Sequence, residues 1–143
     1  NTDLGRNQVN VREALSQAKT VLAFSNLVSP ADYTHPTRDY VTGRWTDALG
    51  TGAAVIGTAP VSAEYLFWPG ATTEISPYDL IHGLERVREL AQTWDPSESI
   101  ANWLRARESL DWRWRLRDIS EALGLVGLAQ LDGELDQLSK KPM

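Results

Sequence analysis

Apolar and polar residues follow two different patterns along the chain. Short apolar runs with β-branched side chains occur at residues 20–25 (TVLAFS), 53–60 (AAVIGTAP) and, more weakly, 71–76 (ATTEIS). Such runs are typical of strands that are buried on both faces of a parallel sheet. Because helical segments lie between them, the pattern predicts an α/β protein: a Rossmann-like parallel sheet with helices on both faces, followed by C-terminal helices.

Helices are predicted where apolar residues recur at helical spacing, at residues 9–19, 43–49, 77–94 and 97–123, the last as two helices in series, with one more short helix in the tail. Thr42 is expected to cap the second of these helices. Ser76 and Pro77 have the spacing of a capping box before the third helix, so Pro77 is expected to be its first helical residue.

The chain has the length of one domain. We place this domain at residues 1–125 and expect a helical tail at residues 126–143. Three strands make a small sheet for this fold class, and the first residue is Asn rather than Met. We therefore expect that part of a doubly wound domain precedes Asn1.

Composition excludes several classes of function. The formal net charge of -5 argues against a general nucleic-acid binder, because affinity for phosphates comes from clustered Lys and Arg. The arginines at residues 105–117 alternate with acids, which favours a salt-bridged helix surface over a nucleic-acid site. Without cysteine the chain has no disulfide and no thiolate metal site, and we expect no metal. No apolar run reaches the roughly 18 residues of a membrane span, and no signal-peptide pattern is present, so a cytoplasmic protein is predicted.

Residues 38–57 (RDYVTGRWTDALGTGAAVIG) hold the candidate chemistry. A helix that starts at Thr42-Gly43-Arg44 presents unpaired N–H groups and a positive dipole end, while Gly43 leaves room for a phosphate and Arg44 adds a forked donor. Asp39 and Asp47 would bracket this anion site and accept hydrogen bonds from sugar hydroxyls. Alternatively, one acid caps a turn and the other lies on the helix surface, and Arg44 pairs with either of them.

This stretch resembles the donor-binding domain of group-1 retaining glycosyltransferases with GT-B architecture. That family has two acids separated by seven residues, followed by Ala and a small-residue turn into a strand, and the counterpart is DYVTGRWTDALGTGAAVIG, with Asp in place of the family's Glu at both acids. The resemblance extends over residues 9–125, through TVLAFSNLVSP, SAEYLFWPGATTEISPYDLIHGLERV and RARESLDWRWRLRDISEALGL.

The resemblance implies transfer of a sugar, with retention, from a nucleotide-diphosphate sugar that is the substrate, with no cofactor. It implies that Asp47 holds the ribose and that Thr42, Gly43 and Arg44 contact the diphosphate. Asp39 would lie near the transferred sugar as a catalytic residue, with His35 as a possible donor beside it. An upstream acceptor-binding domain would complete the enzyme. The alternative is a non-catalytic Rossmann-like module that binds a nucleotide or a protein.

The six tryptophans divide into two groups. Trp45, Trp94 and Trp103 fall on apolar stripes or at element ends and are predicted to belong to the core. Trp68, in the FWPG turn, is predicted to be exposed near a site.

Overall fold

The computed structural model describes residues 4–140. Its elements, in chain order, are α1 (Leu4–Ser16), β1 (Thr20–Phe24), α2 (Gly43–Gly50), β2 (Ala54–Thr58), a 3-10 helix (Val61–Leu66), β3 (Thr72–Glu74), α3 (Leu80–Thr93), α4 (Pro96–Ser109), α5 (Trp112–Ala122) and α6 (Ala129–Lys140). The predicted alternation of strands and helices is therefore confirmed.

The three strands form one parallel sheet in the order β1-β2-β3. In β2, Val55 belongs to the core cluster under α2, and Ile56, which points to the opposite face, is fully buried as well. The central strand is thus covered on both faces, as its apolar sequence predicts. The edge strand β1 is less completely covered, since Leu22 is 55% exposed. The sheet is consistent with a Rossmann-like domain.

Helix α2 packs on β1 and β2 through Trp45, Ala48 and Leu49, a spacing that places all three on one helix face. Each of these side chains is fully buried. The ring of Trp45 lies 5.7 Å from that of Phe67, which follows the 3-10 helix. The core is therefore centred between α2 and the sheet.

Several boundaries differ from the predictions. Helix α1 begins at Leu4 rather than near residue 9, and β3 is restricted to Thr72–Glu74. The proposed capping box at Ser76 is wrong. Helix α3 begins at Leu80, and its cap is Asp79, whose carboxylate accepts the amide of His82 at 3.0 Å.

The apolar stripe of α3 is only partly buried. Leu80 and Ile81 are each 74% exposed, and Gly83 is the buried residue of the helix. At the other end, Lys19 Nζ donates to the carbonyl oxygen of Ala91 and joins α3 to the start of β1. The periodicity of this segment predicted the helix correctly but not the burial of its apolar face.

Helices α4, α5 and α6 form the C-terminal part of the described chain. Helix α6 packs on α4 and α5 and buries Leu135 and Leu138. The expected salt-bridged surface is confirmed for the three arginines of α5. Their acidic partners lie on α5, at its N-cap and on α6: Arg113 with Asp111 and Glu134, Arg115 with Asp118, and Arg117 with Glu121 and Asp132. In α4, Arg107 lies over the ring of Trp103. Within residues 4–140, no helix combines the length and the apolar character needed to cross a membrane.

Replacing Gly57 with Ala is expected to lower the free energy of unfolding by about 3 kcal/mol or more. Gly57 pairs with Ala23 across β1 and β2, and a Cβ at residue 57 would lie 1.6 Å from the carbonyl oxygen of Ala23. Urea unfolding followed by circular dichroism measures the change. Gly50→Ala is the control, since its Cβ would meet nothing within 4 Å. Equal stability of both variants would contradict this account.

Candidate functional site

Two cavities meet at the N-terminal end of α2. The first, which we call the loop cavity, has a volume of about 310 Å³ and lies at the carboxyl end of β1. Its lining includes Phe24, Asn26, Tyr33, Tyr40, Thr42, Gly43 and Arg44. The second, the helix cavity, has a volume of about 530 Å³ and includes Val41, Thr42, Gly43, Asp47, Leu66, Leu110, Trp112, Arg115 and Ile119. Thr42 and Gly43 belong to both, so the first turn of α2 separates them.

The first turn of α2 has the features of an anion-binding end. The amides of Gly43 and Arg44 have no acceptor within the helix, because the first four N–H groups of any α-helix have none. Thr42 is the N-cap residue, as predicted, but its side chain makes no capping hydrogen bond. Arg44 is exposed and lines the loop cavity, and among residues 4–140 it forms no ion pair with Asp39 or Asp47. Its guanidinium therefore remains available to a ligand.

Asp47 lies one turn into α2 and points back toward its N-terminus. A Cβ built on Gly43 would lie 3.3 Å from Asp47 Oδ2, so the carboxylate stands beside the glycine. There it interacts favourably with the positive end of the helix dipole. Asp47 lines the helix cavity and not the loop cavity, so its carboxylate can accept hydrogen bonds from ligand hydroxyls in the helix cavity.

Asp39 connects two segments of the chain. Its Oδ2 accepts the amide of Val61 at 2.7 Å, and Ser62 Oγ donates to its backbone carbonyl at 3.1 Å. Hydrogen bonding from the Ser62 side chain and then from the Val61 amide holds the pKa of Asp39 below its usual value. Asp39 lines neither the loop cavity nor the helix cavity. The two acids therefore have different surroundings. Asp47 lines the helix cavity, whereas Asp39 attaches the loop to the 3-10 helix.

His35 stabilises a turn of the same loop. Its Nδ1 accepts the amides of Thr37 and Arg38, both at 3.1 Å, which places the proton of a neutral imidazole on Nε2. His35 is exposed and lines neither cavity. Its Nε2 is the atom that remains for contact with a ligand.

Asn26 organises the loop between β1 and α2, and the sequence reasoning missed it. The side chain is 3% exposed, donates to the carbonyl oxygens of His35 and Arg38, and accepts the amide of Tyr40. One carboxamide thus satisfies three backbone groups of a segment that has no regular structure. An Asn directly after a buried strand and before a long proline-containing loop was the signal that could have identified it.

Trp112 is the second residue that the sequence reasoning missed. It is 77% exposed and lines the helix cavity, together with a third cavity of about 560 Å³ that also includes Asp47. The predicted exposure of Trp68 is wrong, since Trp68 is half-buried against the core and donates from Nε1 to Asn102 Oδ1 at 3.0 Å. It does line a cavity of about 230 Å³. Of the predicted core tryptophans, Trp45 is fully buried and Trp94 and Trp103 are half-buried.

Asp111 fixes the start of α5 next to Trp112. Its carboxylate accepts the backbone amide of Arg113 and pairs with the guanidinium of the same residue at 2.8 and 2.9 Å. The hydrogen bonds from the Arg113 side chain hold the pKa of Asp111 below its usual value, against the opposing effect of burial. The backbone that carries the exposed indole therefore belongs to a capped helix end.

Comparisons of the chain with protein-family models, with curated proteins and with solved structures gave no match. Within residues 4–140, no group of three or more His, Asp or Glu side chains is placed to hold a metal ion.

Replacing Asn26 with Ala is expected to lower the free energy of unfolding by about 2 kcal/mol, because partly buried backbone groups lose their partners. The loop should also open more often, so trypsin should cleave faster after Arg38. Limited proteolysis and urea unfolding measure both effects. Asp32→Ala, at an exposed residue of the same loop, is the control. Unchanged cleavage in the Asn26 variant would show that the loop does not depend on this side chain.

Replacing Asp111 with Asn keeps a capping residue but removes the charge that pairs with Arg113, and should cost about 1–2 kcal/mol at neutral pH. Because folding lowers the pKa of Asp111, its contribution is present above the unfolded value of 3.8 and is lost as pH falls through the folded value. The difference between variant and parent should therefore shrink below about pH 4 in unfolding curves. Asp118→Asn, which breaks an exposed pair with Arg115, should cost less than about 0.5 kcal/mol. A difference that does not depend on pH would contradict the assignment.

Proposed function

We propose that this chain binds the nucleotide-diphosphate sugar donor of a retaining glycosyltransferase of the GT-B type. The observation that carries the proposal is the first turn of α2, where Gly43 and Arg44 open onto a cavity at the carboxyl end of β1. In open parallel sheets, ligands bind beyond the carboxyl ends of the strands. A helix N-terminus with an adjacent arginine is a suitable partner for a diphosphate.

The loop cavity suits the sugar part of such a donor. Its volume of about 310 Å³ lies at the small end of the range for ligand pockets. The lining combines polar groups with the aromatic side chains of Phe24, Tyr33 and Tyr40. Aromatic faces provide apolar contact for a sugar ring while nearby polar groups bond to its hydroxyls. Asp47, on the other side of the turn, is the acceptor that we assign to the ribose hydroxyls.

Catalysis would depend on the departing diphosphate. In the transfer, the bond between the anomeric carbon and the diphosphate oxygen breaks, and its electron pair leaves with the diphosphate. A hydroxyl oxygen of the acceptor forms the new bond on the same face, and its proton passes to an oxygen of the departing diphosphate. The α2 amides and Arg44 stabilise the negative charge that develops on the leaving group. No metal is needed for this role.

The proposal assigns different roles to the two predicted catalytic residues. Asp39 holds the loop through the amide of Val61, and therefore acts as a positioning residue. His35 lines neither cavity, so in this proposal it orders the loop through the amides of Thr37 and Arg38 and does not contact the sugar in the loop cavity. An upstream domain would bring the acceptor, because the family closes two Rossmann-like domains on the reaction.

A second candidate function is a module that binds a protein partner without catalysis. The observation that favours it is the exposure of Leu22 on β1 and of Leu80 and Ile81 on α3. Exposed apolar side chains that form a patch are a common feature of interaction sites. This candidate predicts a folded chain to which no nucleotide binds.

Calorimetric titration with UDP and GDP tests the first proposal. At least one nucleotide should bind, and Arg44→Ala and Asp47→Ala should each weaken binding by about tenfold or more, which corresponds to about 1.4 kcal/mol. The matched control is Arg38→Ala, which removes the same charge from an exposed position outside both cavities. Absence of binding at millimolar concentration, or equal losses in the Arg38 and Arg44 variants, would contradict the proposal.

A further inference from the structure

The helix cavity has an aromatic surface that the proposed function has not used. Trp112 begins α5 and leaves most of its indole uncovered at the edge of the cavity. Trp112 is 77% exposed, and it lies beside Asp47 in the lining of this cavity. Asp111 caps the helix and pairs with Arg113, so the backbone that carries the indole lies at a capped helix end.

The cavity walls suit a flat aromatic ring with polar edges. Val41, Leu66, Leu110 and Ile119 provide apolar surface. Arg115 also lines the cavity, and its Nη1 is paired to Asp118 at 2.9 Å. A guanidinium can only donate, so it favours a ligand whose edge carries acceptor atoms over a plain hydrocarbon. Nucleobases combine a π face with such an edge.

The position of the cavity matches the order of groups in a nucleotide sugar. The helix cavity and the loop cavity share Thr42 and Gly43, where the diphosphate is proposed to bind. Asp47, proposed to hold the ribose, lines the helix cavity beside Trp112. A ligand that passes over the first turn of α2 would therefore have its sugar on one side and its base on the other.

We infer that the helix cavity binds the base of the nucleotide, with the base stacked on Trp112. The inference rests on the proposed function for the identity of the ligand, and deepens it by assigning the nucleoside end. Trp112 would then take part in recognition of the nucleotide and not in recognition of the transferred sugar.

The test compares UDP, uridine and inorganic pyrophosphate as probes of the folded chain. Trp112→Ala should weaken UDP about tenfold or more and abolish uridine binding, since stacking of a base on an aromatic side chain contributes strongly to affinity. It should leave pyrophosphate affinity within about twofold, because that probe has no base. Trp112→Phe keeps an aromatic face and should retain most of the UDP affinity. Tyr65→Ala removes an equally exposed aromatic side chain outside both cavities and is the control.

The outcomes separate this inference from the proposed function. If Arg44→Ala weakens UDP and Trp112→Ala does not, the base site is wrong and the proposed diphosphate site stands. If uridine binding depends on Trp112 but pyrophosphate does not bind and Arg44→Ala has no effect, the base site is supported and the donor proposal fails. If neither UDP nor uridine binds at millimolar concentration, both are overturned. Circular dichroism of each variant verifies that it is folded.

Discussion

The burial of Trp45 is the interaction on which the arrangement of the site depends. Trp45 is the third residue of α2, is fully buried, and packs with Ala48 and Leu49 in the cluster that includes Val55. Its indole N–H has no acceptor among the described residues, a cost of about 1–3 kcal/mol that the packing has to outweigh. Because α2 cannot turn or slide without exposing this ring, the positions of Gly43 and Arg44 are fixed by hydrophobic packing.

The loop that precedes α2 depends on polar contacts instead. Between Phe24 and Gly43 the chain forms no helix or strand, so its backbone groups need other partners. Asn26 provides three of these hydrogen bonds from a buried position, and Asp39 attaches the far end of the loop to Val61. These contacts hold the wall of the loop cavity in place. Asp39 itself does not line the cavity. The carboxylate of Asp39 therefore has a structural partner 22 residues away in the sequence.

Ion pairs surround α5, the helix that lines the helix cavity opposite α2. Arg113 and Arg117 link α5 to acids of α6, and Asp111 caps α5 where Trp112 begins. Each exposed pair contributes little by itself. The Trp114 indole also donates from Nε1 to the carbonyl oxygen of Arg107 at 2.8 Å, which joins α5 to α4. The helix cavity is therefore formed between a hydrophobically fixed element, α2, and an element whose position depends on polar contacts at its ends.

The sequence by itself determined the α/β class, the parallel strands β1 and β2, the helix after Thr42 and the paired arginine surface, because apolar periodicity and charge alternation are local properties. It did not predict that the apolar side of α3 is largely exposed, that Asp79 rather than Ser76 caps this helix, or that Trp112 and not Trp68 is the exposed tryptophan. Only the tertiary structure decided these features. Burial and cap geometry depend on which distant elements pack together. The local sequence around a tryptophan is the same whether or not another segment of the chain covers its side chain.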